Sequence, residues 1–255
     1  MKPYFDLPTP RVLAHRGLAT AAPENTPLAF AHAIAAGARY IETDVHASSD
    51  GAAIVAHDPD LDRLAGRPGN VADLTRAELE RVDLGYGQSF VGLDEVLHGF
   101  PETRFNIDIK SPAAVEPTVQ AIRNAAATDR VLVTSFSEPR RRAAVRALPG
   151  VATSVSAARF VPALLSGKIG FGPGLKAALA GVDAVQIPER ALGMSTLSPR
   201  LVRAFHRAGV EVHVWTINDP VRMVELLRLG VDGIVTDRAD VAIRVIAQGT
   251  DIPSL

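Results

Sequence analysis

The chain contains no cysteine, which excludes disulfides, thiolate metal sites and a cysteine nucleophile. Aromatic residues make up only 5 %, with a single tryptophan, and leave little to stack against bases. Neither sign of charge prevails: 27 Lys and Arg face 28 Asp and Glu, a balance that offers nothing to nucleic acid or to an anionic membrane. No apolar run reaches the roughly 18 residues of a membrane span. The lead MKPYFDLPTPR carries prolines and Asp6 where a secretory signal has its apolar core. These absences predict a soluble, cytoplasmic protein whose partner is a small molecule, with no nucleic acid and no obligate membrane. What is present, 47 % hydrophobic and 22 % charged residues over 255 positions, suits one large domain spanning 1–255.

Read in order, the chain alternates short apolar strands with amphipathic helices. After a loose lead, strands are expected at 11–14, 39–46, 104–109, 131–134, 151–155, 184–187, 210–217 and 233–236, with a further short extended piece at 52–56. Most are followed by a helix: one opened by Asn25 or Thr26 with Pro27 in its first turn, then 93–100, 113–127, 138–148, 175–180, 199–208, 220–229 and 239–247. Strand–helix alternation implies parallel pairing, and eight units at this length predict a closed (β/α)8 barrel, the fold class being α/β. The runner-up, a doubly wound open sheet, lacks a Gly-x-Gly-x-x-Gly turn after the first strand. Residues 58–92 break the rhythm and read as a lid or small insertion, with one short helix capped by Thr75 and Glu78. SGKIGFGPG, at 166–174, reads as a glycine- and proline-interrupted connection.

Ionisable residues gather at strand ends. His15 and Arg16 end the first strand, Glu42 and Asp44 interrupt the second, and His57-Asp58 ends a third apolar piece. Buried charges are costly unless they are paired or hold a metal or ligand. Active sites of barrels lie at the C-terminal ends of the strands, and His15, Arg16, Glu42, Asp44, His57, Asp108, Lys110, Ser135 and Trp215 all fall there. Alternation along a strand puts Glu42, Asp44 and His46 on one face, and Asn106, Asp108 and Lys110 on another. Glu42 and Asp44 offer hard oxygens suited to Mg²⁺ or Ca²⁺, with Asp108 as a third ligand. His15 and His57 are candidate acid and base. His46 is an outside candidate for the site, whereas His32, His98 and His206 lack such surroundings.

His15-Arg16-Gly17, then Pro23-Glu24-Asn25-Thr26, Glu42-x-Asp44 and His57-Asp58, in this order and spacing, resemble the signature of the glycerophosphodiester phosphodiesterases, phospholipase-C-like enzymes on a TIM barrel. FNIDIK resembles the family's acidic-x-Lys strand, although the family typically carries Glu where this chain has Asp108. HVWTIN and GIVTD resemble its late strands, the latter read mainly as scaffold. The resemblance implies metal-dependent hydrolysis of a glycerophosphodiester to glycerol 3-phosphate and an alcohol. His15 and His57 would be catalytic, and Glu42, Asp44 and Asp108 would hold the divalent cation. Arg16 and Lys110 would neutralise phosphate charge, with a salt bridge to the carboxylates as the structural alternative, and Trp215 would pack against glycerol or within the barrel top. The nucleophile is water or the substrate's own 2-hydroxyl.

Two rival readings use the same barrel. One is a lysophospholipase D or phosphoinositide-phospholipase-C-like enzyme on lipid diesters, which a long apolar groove around 58–92 or 156–175 would favour. The other is a silent barrel that only binds phosphorylated ligands, against which both intact histidines argue.

Overall fold

The computed structural model describes residues 2–249. Its strands are β1 (Arg11–His15), β2 (Tyr40–Ala47), β3 (Ala53–Val55), β4 (Arg104–Ile109), β5 (Val131–Thr134), β6 (Ala152–Thr153), β7 (Ala184–Pro188), β8 (Arg190–Ala191), β9 (Met194–Ser195), β10 (Glu211–Trp215) and β11 (Gly233–Thr236). Its helices are α1 (Pro27–Ala35), α2 (Asp62–Ala65), α3 (Arg76–Leu79), α4 (Leu93–Gly99), α5 (Val115–Asn124), α6 (Glu138–Ala147), α7 (Ala157–Ile169), α8 (Gly172–Leu179), α9 (Pro199–Arg207), α10 (Pro220–Leu229) and α11 (Ala239–Ala247). Eight strands pair in the order β6–β5–β4–β2–β1–β11–β10–β7. The two outer members meet through a parallel bridge between Ser154 and Ala184. The sheet therefore closes into the expected (β/α)8 barrel. β3 stands outside it, antiparallel to β2 with Val45 opposite Val55.

The pleat sorts the side chains. Val12, Ala14, Ile41, Val45, Phe105, Ile107, Val212 and Val214 point outward and fuse with the apolar faces of the helices into the main core. Leu13, Tyr40, Leu132, Ala152, Ala184 and Val235 point into the barrel. Register then stacks the inward ionisable residues in rows, His15 beside Glu42 and Asp44 beside Asp108.

Three segments differ from the sequence reading. The lead is not loose: a 3₁₀ turn at Pro3–Phe5 places Tyr4 and Phe5, both buried, under Leu13, Tyr40 and Leu132 as a plug in the barrel's foot. From Ala157 to Ile169 the chain is helical, because Phe160, Ala163, Leu164 and Gly167 bury one stripe of α7, and that burial outweighs Pro162 inside the helix; the break comes only at Gly170 and Phe171, before α8. Gly167 lets α9 approach closely, since a Cβ there would stand 2.4 Å from Leu201 Cδ1 and that side chain would have to shift. Residues 58–92 carry α2, the capped α3 and a small apolar cluster of their own, with Leu61, Val71, Leu79, Val82 and Phe90 packed under Ile54.

The foot is locked by a buried ionic knot. Arg11, 3 % exposed, gives Nε and Nη2 to Glu211 at 2.8 Å each and Nη2 to the Phe5 carbonyl, and His213 Nε2 lies 3.0 Å from the same carboxylate. Burial alone would raise Glu211, but Arg11 and His213 outweigh it and hold the carboxyl at about 2, below its ordinary 4.5. A carboxyl depressed on folding stabilises fully above its unfolded value, and the contribution is lost as pH falls through the folded one. The melting temperature of wild type should therefore exceed that of Glu211→Gln most above about pH 5, with the two curves converging between about 4.5 and 2. Melting curves that stay parallel across that range would show that the knot does not hold Glu211 ionised.

Candidate active site

The strand tops open into a cavity of about 420 Å³. All nine strand-end residues singled out line it: His15, Arg16, Glu42, Asp44, His57, Asp108, Lys110, Ser135 and Trp215, with Asn106 beside them. His46 does not; its Nε2 lies 3.1 Å from the His57 carbonyl and supports the chain that presents His57. None of residues 59–92 lines the cavity, and that segment reaches the site through Arg63, which bonds Asp58 and Glu24.

The turn after β1 is built for closeness. Gly17 (φ +88°) lies against α1 so tightly that a Cβ would stand 2.7 Å from the Ala29 carbonyl carbon. Arg16 and Asn25 both adopt left-handed backbone and are joined through Asn25 N–H to the Arg16 carbonyl (2.9 Å). Arg16 thereby swings over the strand ends, with Nη1 on Glu24 (2.9 Å) and Nε 3.2 Å from Asp44. Asn25, which the sequence offered as a helix cap and as part of the family signature, leaves the cap to Thr26; it donates to Asp44 Oδ2 (3.2 Å) and accepts from Thr43 (2.8 Å).

Each histidine is held from behind by a carboxylate. His15 Nδ1 bonds Asp237 Oδ1 (2.6 Å), itself fixed by Asn218 (2.7 Å), while His15 Nε2 is 3.9 Å from Glu42. His57 Nδ1 bonds Asp58 Oδ1 (2.7 Å). Burial would lower the pKa of His15, but Asp237 and Glu42 raise it above the ordinary value. Asp237 was passed over as scaffold, although it follows a strand top like every other site residue. That position is the signal that could have found it.

Lys110 spans Asp44 (2.8 Å) and Asp108 (2.7 Å). Burial disfavours its charge, yet the two carboxylates raise its pKa well above normal. For Asp44 burial is likewise outweighed, here by Lys110 and Arg16, and the carboxyl is held low. Glu42 has no such partner: burial and the adjacent Asp44 push it up to about 8. Burial also raises Asp108, Lys110 offsetting only part.

Among the described residues no group of three or more His, Asp or Glu side chains is arranged as a metal site. Lys110 lies between Asp44 and Asp108 and pairs with both. The donors nonetheless suit a hard cation in their chemistry. Glu42 Oε2, Asp108 Oδ1 and Asn106 Oδ1 are buried without a hydrogen-bond partner, and the under-compensated Glu42 would gain from nearby positive charge.

The other side of the cavity has a different character. From β5 round to β10 it is lined by Phe136, Val155, Phe160, Val161, Pro188, Leu192 and Trp215, with no charged side chain among them. Phe136 and Trp215 meet edge to face at 6.1 Å.

A model of the glycerophosphoryl diester phosphodiesterase family matches residues 15–241. The chain belongs to this family. It is accordingly a phosphoric diester hydrolase. The chain is 42 % identical over 230 residues to the probable glycerophosphodiester phosphodiesterase 2 of Mycobacterium tuberculosis, covering 89 % of this chain and 87 % of that one. It is 31 % identical to the glycerophosphodiester phosphodiesterase of Caldanaerobacter subterraneus, covering 93 % and 98 %. The barrel is similar to that of an Oleispira antarctica phosphodiesterase solved with the product sn-glycerol-3-phosphate (TM-score 0.78, 22 % identity, 94 % and 97 % covered). Another family structure, from Agrobacterium tumefaciens, superposes with a TM-score of 0.76 at 25 % identity, covering 93 % and 99 %. No described helix is long and apolar enough to cross a membrane.

Proposed function

We propose that this family member hydrolyses glycerophosphodiesters to glycerol 3-phosphate and an alcohol, with His15 and His57 as the acid–base pair. One observation carries the pair: both imidazoles line one cavity and both are anchored through Nδ1 to a carboxylate, Asp237 and Asp58. A histidine so held keeps Nε2 for a proton in transit, and the carboxylate stabilises the imidazolium that forms. One ring takes the proton of the attacking hydroxyl; the other protonates the departing alkoxide. Arg16 and Lys110 face the phosphate and offset the charge that grows on its oxygens.

Glu42, Asp44 and Asp108 would hold a divalent cation, Mg²⁺ or Ca²⁺, with Asn25 and Lys110 steadying Asp44. Such an ion, when bound, polarises phosphoryl oxygens and helps orient the nucleophile. Asp108, one methylene shorter than glutamate, would reach less far as a ligand, an irregularity that Ca²⁺ would tolerate better than Mg²⁺. Trp215 packs against the glycerol.

The test is product identity. Incubated with glycerophosphocholine and divalent cation, the protein should release choline and glycerol 3-phosphate in equal amounts, read by ¹H and ³¹P NMR respectively. Release of phosphocholine and glycerol would place cleavage on the other ester bond and overturn the reading.

A further inference from the structure

The segment 59–92 stands outside the cavity and yet sends one side chain to its machinery. We infer that Arg63 is a positioning residue whose single guanidinium ties the carboxylate behind His57 to the carboxylate behind Arg16. The segment then governs turnover rather than the choice of substrate. The inference rests on the proposed acid–base role of His57 and extends it to a residue that does not line the cavity.

The bonds run without a break from one group to the other. Asp58 holds His57 Nδ1 through Oδ1 (2.7 Å) and accepts from Arg63 Nε at Oδ2 (2.6 Å). Arg63 also donates from Nη2 to Glu24 Oε1 (2.6 Å) and from Nη1 to Glu24 Oε2 (3.1 Å), as a two-pronged fork. Glu24 Oε1 accepts in addition from Arg16 Nη1 (2.9 Å), and Arg16 Nε lies 3.2 Å from Asp44. Both oxygens of Asp58 and both of Glu24 are engaged, so neither carboxylate is free to turn away. Burial would raise both carboxyls, but His57 and Arg63 hold Asp58 below its ordinary value, and Arg63 and Arg16 hold Glu24 below its own.

Local structure brings Arg63 to this point. The chain between Asp58 and Arg63 is pinned by the Leu61 N–H on the Gly69 carbonyl (3.0 Å) and by the Pro59 carbonyl, which accepts from Val71 N–H (2.8 Å). Leu61 itself is fully buried in the apolar cluster under Ile54, and α2 ends on Gly66 in left-handed backbone (φ +63°). From the opposite side His46 holds the His57 carbonyl. The ring of His57 is thus set by its backbone, by Asp58, and by whatever keeps Asp58 in place.

A surface ion pair is the competing account, since the Arg63 side chain is 50 % exposed and exposed pairs contribute little. The partners argue otherwise. The side chains of Asp58 and Glu24 are largely sheltered, and each also holds a residue that lines the cavity. Arg76 supplies the contrast. It belongs to the same segment and pairs with Glu80, Asp94 and Glu95, none of which lines the cavity.

The experiment measures kcat and KM on glycerophosphocholine with divalent cation for wild type, Arg63→Gln, Arg63→Lys and Arg76→Gln. Arg63→Gln should lower kcat by about tenfold or more with KM kept within about threefold, the pattern of a group that places catalysts and holds no substrate. Arg63→Lys keeps the charge but cannot span two carboxylates as a fork, and should recover only part of the loss. Arg76→Gln should leave kcat within about twofold of wild type. In a His57→Ala background Arg63→Gln should cost clearly less than in wild type, because one of its two routes is gone. Near-normal kcat in Arg63→Gln overturns the inference, and so does an equal loss in the two backgrounds. A loss in Arg76→Gln that matches Arg63→Gln also overturns it, by tracing the effect to the stability of the segment. Wild type that releases no choline would refute the proposed substrate; the comparison then runs on bis(p-nitrophenyl) phosphate, with the same expected and overturning results.

Discussion

His15→Ala and His57→Ala should each lower kcat by roughly 10²-fold or more, the scale of lost general acid–base catalysis. In the proposed reaction the two rings act on opposite ends, so neither would serve for the other. Both variants should fold, because the histidines project into the cavity rather than into the packed layers, with side chains 20 % and 34 % exposed. Circular dichroism and the melting transition check that condition. Asp237→Asn should sit between wild type and His15→Ala, since the ring remains but loses the carboxylate that orients its Nδ1 (2.6 Å). A folded variant of either histidine with near-normal kcat would remove that residue from the mechanism.

Exhaustive treatment with EDTA should abolish turnover of glycerophosphocholine, and Mg²⁺ or Ca²⁺ should restore it. Glu42 carries the argument: its buried Oε2 has no partner, and burial with Asp44 alongside pushes it up to about 8. A cation that binds the folded state alone stabilises it by about 2.7 kcal/mol at a hundredfold excess over Kd, or roughly 5–10 °C for a chain of this size. The melting temperature should thus rise with added cation whether or not substrate is present, a readout independent of activity. Asp108→Asn should shift the midpoint of that rise to higher cation concentration, because one of the three carboxylates is lost. An unchanged midpoint would strike Asp108 from the ligand set, and full turnover after chelation would strike the cation from the reaction.

The strand tops were legible because alternation and the barrel rule are local: Glu42 and Asp44 are two residues apart on β2, and Asn106, Asp108 and Lys110 follow the same spacing in β4 and just beyond. What was not legible depends on partners far along the chain. Asp237 lies 222 positions from the His15 it holds, and Asn25 becomes meaningful only once β2 brings Asp44 beneath it. Lys110 could be named as a phosphate ligand, but its place between Asp44 and Asp108 appears only when β2 and β4 pair in register. α7 was missed for another reason. Pro162 and Gly167 are local breakers, and the stripe that overrides them needs α9 to pack against, where Leu201 fills the space that Gly167 leaves.

The plugged foot has a consequence for the order of events at the ribosome. Tyr4, Phe5 and Arg11 emerge some two hundred residues before Glu211, and Lys2 emerges 181 residues before the Asp183 it pairs with. At about 5–20 residues per second, the aromatic pair and its guanidinium wait on the order of ten seconds or more for the strands that cover them. Pairing of β1 with β11 is the last strand pairing of the barrel in chain order, and α11 follows it to pack against β1. The base of the barrel is therefore completed only after β10 and β11 have been made, and until then Tyr4, Phe5 and Arg11 are open to chaperones, proteases and other nascent chains.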